Sequence, residues 1–183
     1  MKRTFIILLA LLPFMIFGCH STPQTPESKV VLGAQVTEAI DLFKQKDPSI
    51  DRFFTQSYGY AVFPKIFKAG FWLGGAGGRG EVFEQGKLAG YSAVGQASLG
   101  FSFGGEFYRE IVFFRDKADL DKFKTEEYTF AAQATGVALT EGAAAKADYK
   151  AGLAVFVMAD KGLMVDASVG GQKFSYNPME MNK

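Results

Sequence analysis

The sequence predicts an α+β protein: a strongly curved, glycine-rich antiparallel β-sheet or barrel-like sheet, with N-terminal helices and one inserted helix. Three observations carry this. Before residue 58 the apolar residues recur at helical spacing. From Tyr60 onward, aromatic and β-branched residues gather in short glycine-punctuated stretches. The glycines are also unevenly spread, with 12 of the 21 lying between Gly70 and Gly105. Glycine inside a strand marks a bulge, a sharp bend or a close backbone approach, the devices that curl a sheet.

The first helix is expected over roughly 26–46. Thr25 can cap it, Pro26 suits its first position and Glu27 its first turn, and Leu32, Val36, Ile40 and Phe43 share one face. Asp47-Pro48 restarts a short second helix carrying Ile50, Phe53 and Phe54, which ends near Tyr58-Gly59.

Strands are expected at Tyr60–Phe63, Ala69–Leu73, Leu88–Ala97, Phe107–Arg115, Gly152–Ala159 and Leu163–Val169. Glu84-Gln85-Gly86-Lys87 and Asp160-Lys161-Gly162 look like hairpin turns. Asp116 caps an inserted helix over Lys117–Lys124, with Leu120 and Phe123 turned inward. Ala151–Ala159 is apolar at nearly every position, as in a strand buried on both faces. The alanine-rich segment Tyr128–Ala147 fits strand, helix or loop, with Thr129–Leu139 favoured as strand. Phe101, Phe103, Phe107, Phe113 and Phe114 are expected to fill the curved interior or cover its open face.

The N-terminus predicts an address. Lys2 and Arg3 precede an apolar run over Thr4–Phe17, broken only by Pro13, and Gly18-Cys19 follows. This is the three-part order of a secretion signal, and the run is shorter than the roughly 20 residues of a membrane span. Residues 1–18 are therefore expected to be a signal peptide. Cys19 is the one cysteine of the chain and has no disulfide partner within it. Ile16-Phe17-Gly18-Cys19 resembles the bacterial lipobox, which implies acylation of Cys19, with palmitate-type chains as the anchor. Residues 19–26 would be the lipidated tether and 27–183 one domain. Resemblance to lipoproteins in general implies a cell-envelope protein at the outer membrane facing the periplasm, since His20 stands where an inner-membrane lipoprotein usually has Asp.

The composition excludes several functions. Loss of residues 1–18 lowers the basic count from 20 to 18 against 19 acidic residues, a near-neutral balance that offers nucleic acid nothing. The one histidine, His20, lies beside the anchor, so the domain has no Ser-His or Cys-His pair and no Cys/His zinc site. No enzyme activity, cofactor or metal is expected. Pairs such as Glu126-Glu127 and Asp119-Asp121 read as solvated charges rather than a catalytic dyad.

Gly75-Ala76-Gly77-Gly78-Arg79-Gly80 has the glycine spacing of a dinucleotide-binding turn, but a strand rather than a helix follows it, which removes the phosphate site. The same segment either holds an anionic headgroup through its backbone N–H groups and Arg79, or is a bent strand packed on a neighbour. Lys65-Ile66-Phe67-Lys68 is either a membrane-facing element or a turn with solvated lysines.

Tyr58-Gly59-Tyr60-Ala61-Val62-Phe63-Pro64, then Lys68-Ala69-Gly70-Phe71-Trp72-Leu73-Gly74-Gly75-Ala76-Gly77-Gly78-Arg79-Gly80, then the glycine-spaced stretch Tyr91–Gly104, together resemble a SYLF domain, also called the DUF500 family. Asp160-Lys161-Gly162-Leu163 and Val165–Gly171 are similar to its C-terminal part, so the likeness runs from about Val30 to Pro178. It implies lipid binding; in an envelope protein the expected partners are anionic phospholipids. The expected lipid-binding residues are Lys65, Lys68 and Arg79 for headgroups, and Phe67 and Trp72 for apolar contact. The alternative is a structural envelope protein that binds another protein or itself through exposed aromatics of the Phe101–Phe114 region, with lipid only as its anchor.

Overall fold

The computed structural model describes residues 22–125, 128–130 and 136–179. The expected signal peptide and Cys19 lie outside these residues. Helix α1 spans Pro26–Lys46 and is closed at its start by reciprocal bonds: Thr25 Oγ1 accepts from Ser28 N, and Ser28 Oγ accepts from Thr25 N. A 3₁₀ turn, Pro48–Ile50, leads into α2, Asp51–Gln56. Strands β1, Gly59–Glu84, and β2, Lys87–Phe114, form a hairpin closed by Gln85 and Gly86. Both turn residues have positive φ, 50° and 76°, as a two-residue turn joining twisted strands requires. Then come α3, Lys117–Phe123, capped by Asp116, followed by β3, Tyr128–Phe130, and β4, Gly136–Ala138. Last are α4, Ala143–Lys146, and β5, Leu153–Pro178.

The expected separate strands are thus joined into three long ones. A straight strand of 26 residues would run about 86 Å, whereas a domain of this length has a radius of gyration of about 15 Å. The strands therefore double back, and glycine lets the layers touch. A Cβ on Gly78 would stand 2.7 Å from the Lys65 carbonyl oxygen, and one on Gly80 would overlap the Val62 carbonyl oxygen and the Phe63 ring. The two ends of β1 meet where Gln85 N donates to Tyr58 O at 2.9 Å.

The order β1-β2-β5-β3 makes an open sheet, not a closed barrel. It is mixed rather than wholly antiparallel, because β4 pairs with β5 in parallel. Asp160 does not turn a hairpin. It is an extra residue inside β5, between the pairs Phe107–Lys161 and Tyr108–Ala159, and its carboxylate accepts from Arg109 Nη1 at 2.9 Å. A bulge and a turn use the same residue types.

Folding over gives the sheet an inner and an outer face. Inside, Phe63 from the first half of β1 meets Phe174 from the second half of β5 at 5.4 Å between ring centres, and Phe123 of α3 seals the end at 5.2 Å from Phe174. Outside, the helices cover the sheet: Phe53 of α2 packs on Phe113 near the end of β2 and on Phe156 near the start of β5, and α1 buries Leu32, Val36, Ala39 and Phe43. Phe113 thus faces outward and Phe114 inward, both fully buried. The side chains of Phe101 and Phe103 lie outside the described set. Ala151–Ala159 behaves as its composition predicts, with Val155 buried on one face and Phe156 on the other.

Thr22 and Pro23, expected in a free tether, are buried. Thr22 Oγ1 accepts from Asn177 Nδ2 at 3.3 Å.

Candidate functional site

At the bend of the folded sheet, β1 takes a shorter path than β2. Phe71 pairs with Phe103 and Leu73 with Leu99, so a single residue of β1 spans three of β2. That residue is Trp72, whose φ of 60° lies in the left-handed region that side chains other than glycine rarely occupy. The detour turns consecutive side chains outward. Phe71 is 64% exposed, Trp72 59%, Leu73 68% and Leu99 69%, with Phe67 nearby at 48%.

The expected site residues separate into three groups. Phe67 and Trp72 reach the surface at this apolar tip. Lys65 and Arg79, both exposed, line one cleft of about 590 Å³ between β1 and the start of α1, with Pro23, Ser28, Val31 and Pro64 among its walls. Pro64 and Lys65 form a bulge on the edge strand, and the Lys65 ammonium lies 4.5 Å from the centre of the Phe107 ring, which also contacts Phe67 at 4.9 Å. Lys68 is the exception: at 5% exposure its side chain is buried, so it does not present a charge to a surface headgroup as expected. Alternation explains this, since Phe67 faces outward and its neighbour must face inward. Phe71, Leu73 and Leu99 were missed. The sequence contains them in apolar stretches, but nothing local marks that they stay uncovered.

Beneath the tip, the interior changes from phenylalanine to polar side chains. Glu110, fully buried, accepts at Oε2 from Gln172 Nε2 at 3.0 Å, and Tyr108 OH lies 3.4 Å from Gln96 Oε1. Burial pushes the Glu110 carboxyl up to about 7, while the bond from Gln172 draws it down. The second buried glutamate, Glu81, is on the opposite face beside Gly33 of α1, so the two carboxyls do not converge on one cleft. Among the described residues, no three His, Cys, Asp or Glu side chains gather as a metal site, and no helix is long and apolar enough to cross a membrane. Gly75–Gly80 lies within β1, with no helix after it to hold a phosphate.

Fold and site define an α+β protein with an open, folded-over sheet and an exposed aromatic tip. No family model matches the chain. It is 31% identical over 150 residues to beta cell expansion factor A of Aeromonas veronii, a stretch that covers 81% of this chain and 57% of that protein. The chain thus spans little more than half the length of that curated relative.

Proposed function

We propose that this is a noncatalytic SYLF-type lipoprotein of the bacterial envelope, held by acylated Cys19 at the outer membrane, whose folded sheet docks on anionic phospholipid. The observation that carries the reading is the gathering of Phe67, Phe71, Trp72, Leu73 and Leu99 at one bend, beside the Lys65–Arg79 cleft. Apolar and aromatic side chains enter the boundary between headgroup and acyl chain, and cations flanking them meet phosphate.

The seating of Thr22 and Pro23 supports the geometry. Cys19 is three residues from Thr22, a reach of about 10 Å, and Pro23 itself lines the cleft. An anchor that short brings the cleft and the outer face of β1 close to the leaflet. A weak headgroup site then suffices, because tethering raises the local lipid concentration.

Co-sedimentation of the Cys19→Ser protein with vesicles tests the reading. Binding to phosphatidylglycerol vesicles should exceed binding to phosphatidylcholine vesicles and should fall about tenfold in Lys65→Ala with Arg79→Ala, a loss of about 1.4 kcal/mol. Equal sedimentation with both vesicles, or no loss in the double variant, contradicts it. Concentration-dependent self-association through the tip, abolished by Leu73→Ser, would instead favour the protein-interface alternative.

A further inference from the structure

The buried cluster below the bend leaves polar atoms unpaired. Glu110 Oε1, Gln172 Oε1 and Ser98 Oγ have no hydrogen-bond partner among the described residues, and all three residues are at most 4% exposed. The bonds that do form around Gln172 Nε2 are mostly long, 3.5 Å to both Gln96 Oε1 and Tyr108 OH. Gln172 is the central element: it lies in the second half of β5, paired with Gln96 in the first half of β2, yet bonds to Glu110 in the second half of β2, so it ties the two layers together. Ser98, two residues from Gln96 on β2, pairs with Gly74 immediately beside the Leu73–Leu99 pair.

We propose that Glu110 is a proton-operated latch between the two layers of the sheet and controls how firmly the apolar tip is held. Protonated, Glu110 is neutral and gains an O–H able to donate to an unpaired acceptor such as Gln172 Oε1, and the layers stay joined. Ionised, it is a buried charge with one amide donor and no cation bonded to it among the described contacts, and the layers part at the bend. A buried group that lacks its partner carries the full cost of its lost hydration.

The groups facing Glu110 are Tyr108 and Gln96 on β2, Gln172 on β5 and the Phe63 ring on β1. Charged residues further along the ladder are Glu106, which is paired in register with Lys68, and Arg109, which alternates to the other face and bonds Asp160. Burial pushes the Tyr108 hydroxyl up, with Glu110 and then Glu106 adding to it, so Tyr108 remains a neutral donor over the range in which Glu110 titrates. The carboxyl value of about 7 puts the change near neutrality.

The latch rests on the docking reading only for its consequence; its action is measured without lipid. Trp72 is the one tryptophan of the chain and sits on the tip. In the full chain its emission should change with a midpoint near pH 7, and Glu110→Gln should abolish that transition. A transition that persists in Glu110→Gln, or a flat wild-type profile between about pH 5.5 and about pH 8.5, overturns the latch. Amide exchange on the wild type needs no variant to fold. After correction for intrinsic rates, protection at 93–99 and 171–175 should fall about tenfold at the higher pH while α1 is unchanged; an equal response in both regions overturns the proposal. Loss of vesicle binding at every pH with the transition intact would remove the docking reading and leave the latch standing.

Discussion

Leu73 of β1 stands directly opposite Leu99 of β2, and both remain about two-thirds exposed. A cross-strand leucine pair with no cover stabilises the fold little, because its area is not removed from water. Replacing both by serine should therefore change stability by less than about 0.5 kcal/mol, as for other surface substitutions. Vesicle binding should drop about tenfold or more, since each methylene removed from lipid is worth about 0.8 kcal/mol. Thermal melts paired with co-sedimentation check both halves, and a pair that melted early would show that the leucines are structural.

The glycines of β1 are not equivalent. A methyl at Gly80 would overlap the Val62 carbonyl and the Phe63 ring of the opposing layer, whereas a methyl at Gly75 meets only the Gln96 carbonyl oxygen at 3.6 Å. Gly80→Ala should cost about 3 kcal/mol through overpacking, and Gly75→Ala should be neutral or stabilise by about 0.5 kcal/mol. Urea denaturation of the two variants distinguishes them, and equal midpoints would mean that the layers do not touch as described.

Asp47 joins two distant segments. Its carboxylate accepts from Ser49 N at 3.0 Å, Ser49 Oγ at 2.7 Å and Ala144 N at 2.7 Å. Asp47→Ala should lower stability by about 3 kcal/mol, because it strands donors at a buried position. The loss is measurable by urea denaturation; a change below about 0.5 kcal/mol would place this junction outside the cooperative fold.

The stability profile should rise and then fall with pH. Burial raises the Asp47 carboxyl, but the bonds from Ser49 and Ala144 outweigh it and hold the group below its ordinary 3.8. A lowered acid stabilises above its unfolded value and loses that contribution as pH falls through the folded one, so this limb lies below about pH 4. Glu110 has the opposite sign. Its folded value of about 7 exceeds the ordinary 4.5, so the folded protein binds the proton more tightly and stability declines from about pH 4.5 to about pH 7. Melts across this range should peak near pH 4.5 to 5, and Glu110→Gln should flatten the upper limb. A maximum above pH 8 would contradict the burial of Glu110.

Local structure was legible where local chemistry decides it. Thr25-Pro26 marks the start of α1, Asp116 caps α3, and Gln85-Gly86 closes the hairpin, because caps and tight turns depend on residues within a few positions. The doubling back of the strands was not legible. Glycine density announced a bend, yet whether Ala69–Leu73 continues through Gly74 into Arg79 depends on partners 14 to 36 residues away, from Arg79–Ala93 to Ala69–Gly105. For the same reason Asp160 read as a turn, and the burial of Lys68 was hidden inside an apparently basic, exposed stretch. Glu110 did leave a trace: a lone acid among Tyr108, Ile111, Val112 and Phe113, in a strand apolar on both faces.

The central claim is that the bend enters a membrane, and quenching of Trp72 by lipids brominated along their acyl chains tests it most directly. With the Cys19→Ser protein on phosphatidylglycerol vesicles, Trp72 emission should shift to the blue and be quenched most by bromines nearest the headgroup, a depth of about 5–10 Å for an interfacial element. Unshifted and unquenched emission from vesicle-bound protein would contradict the claim and place the contact elsewhere on the domain.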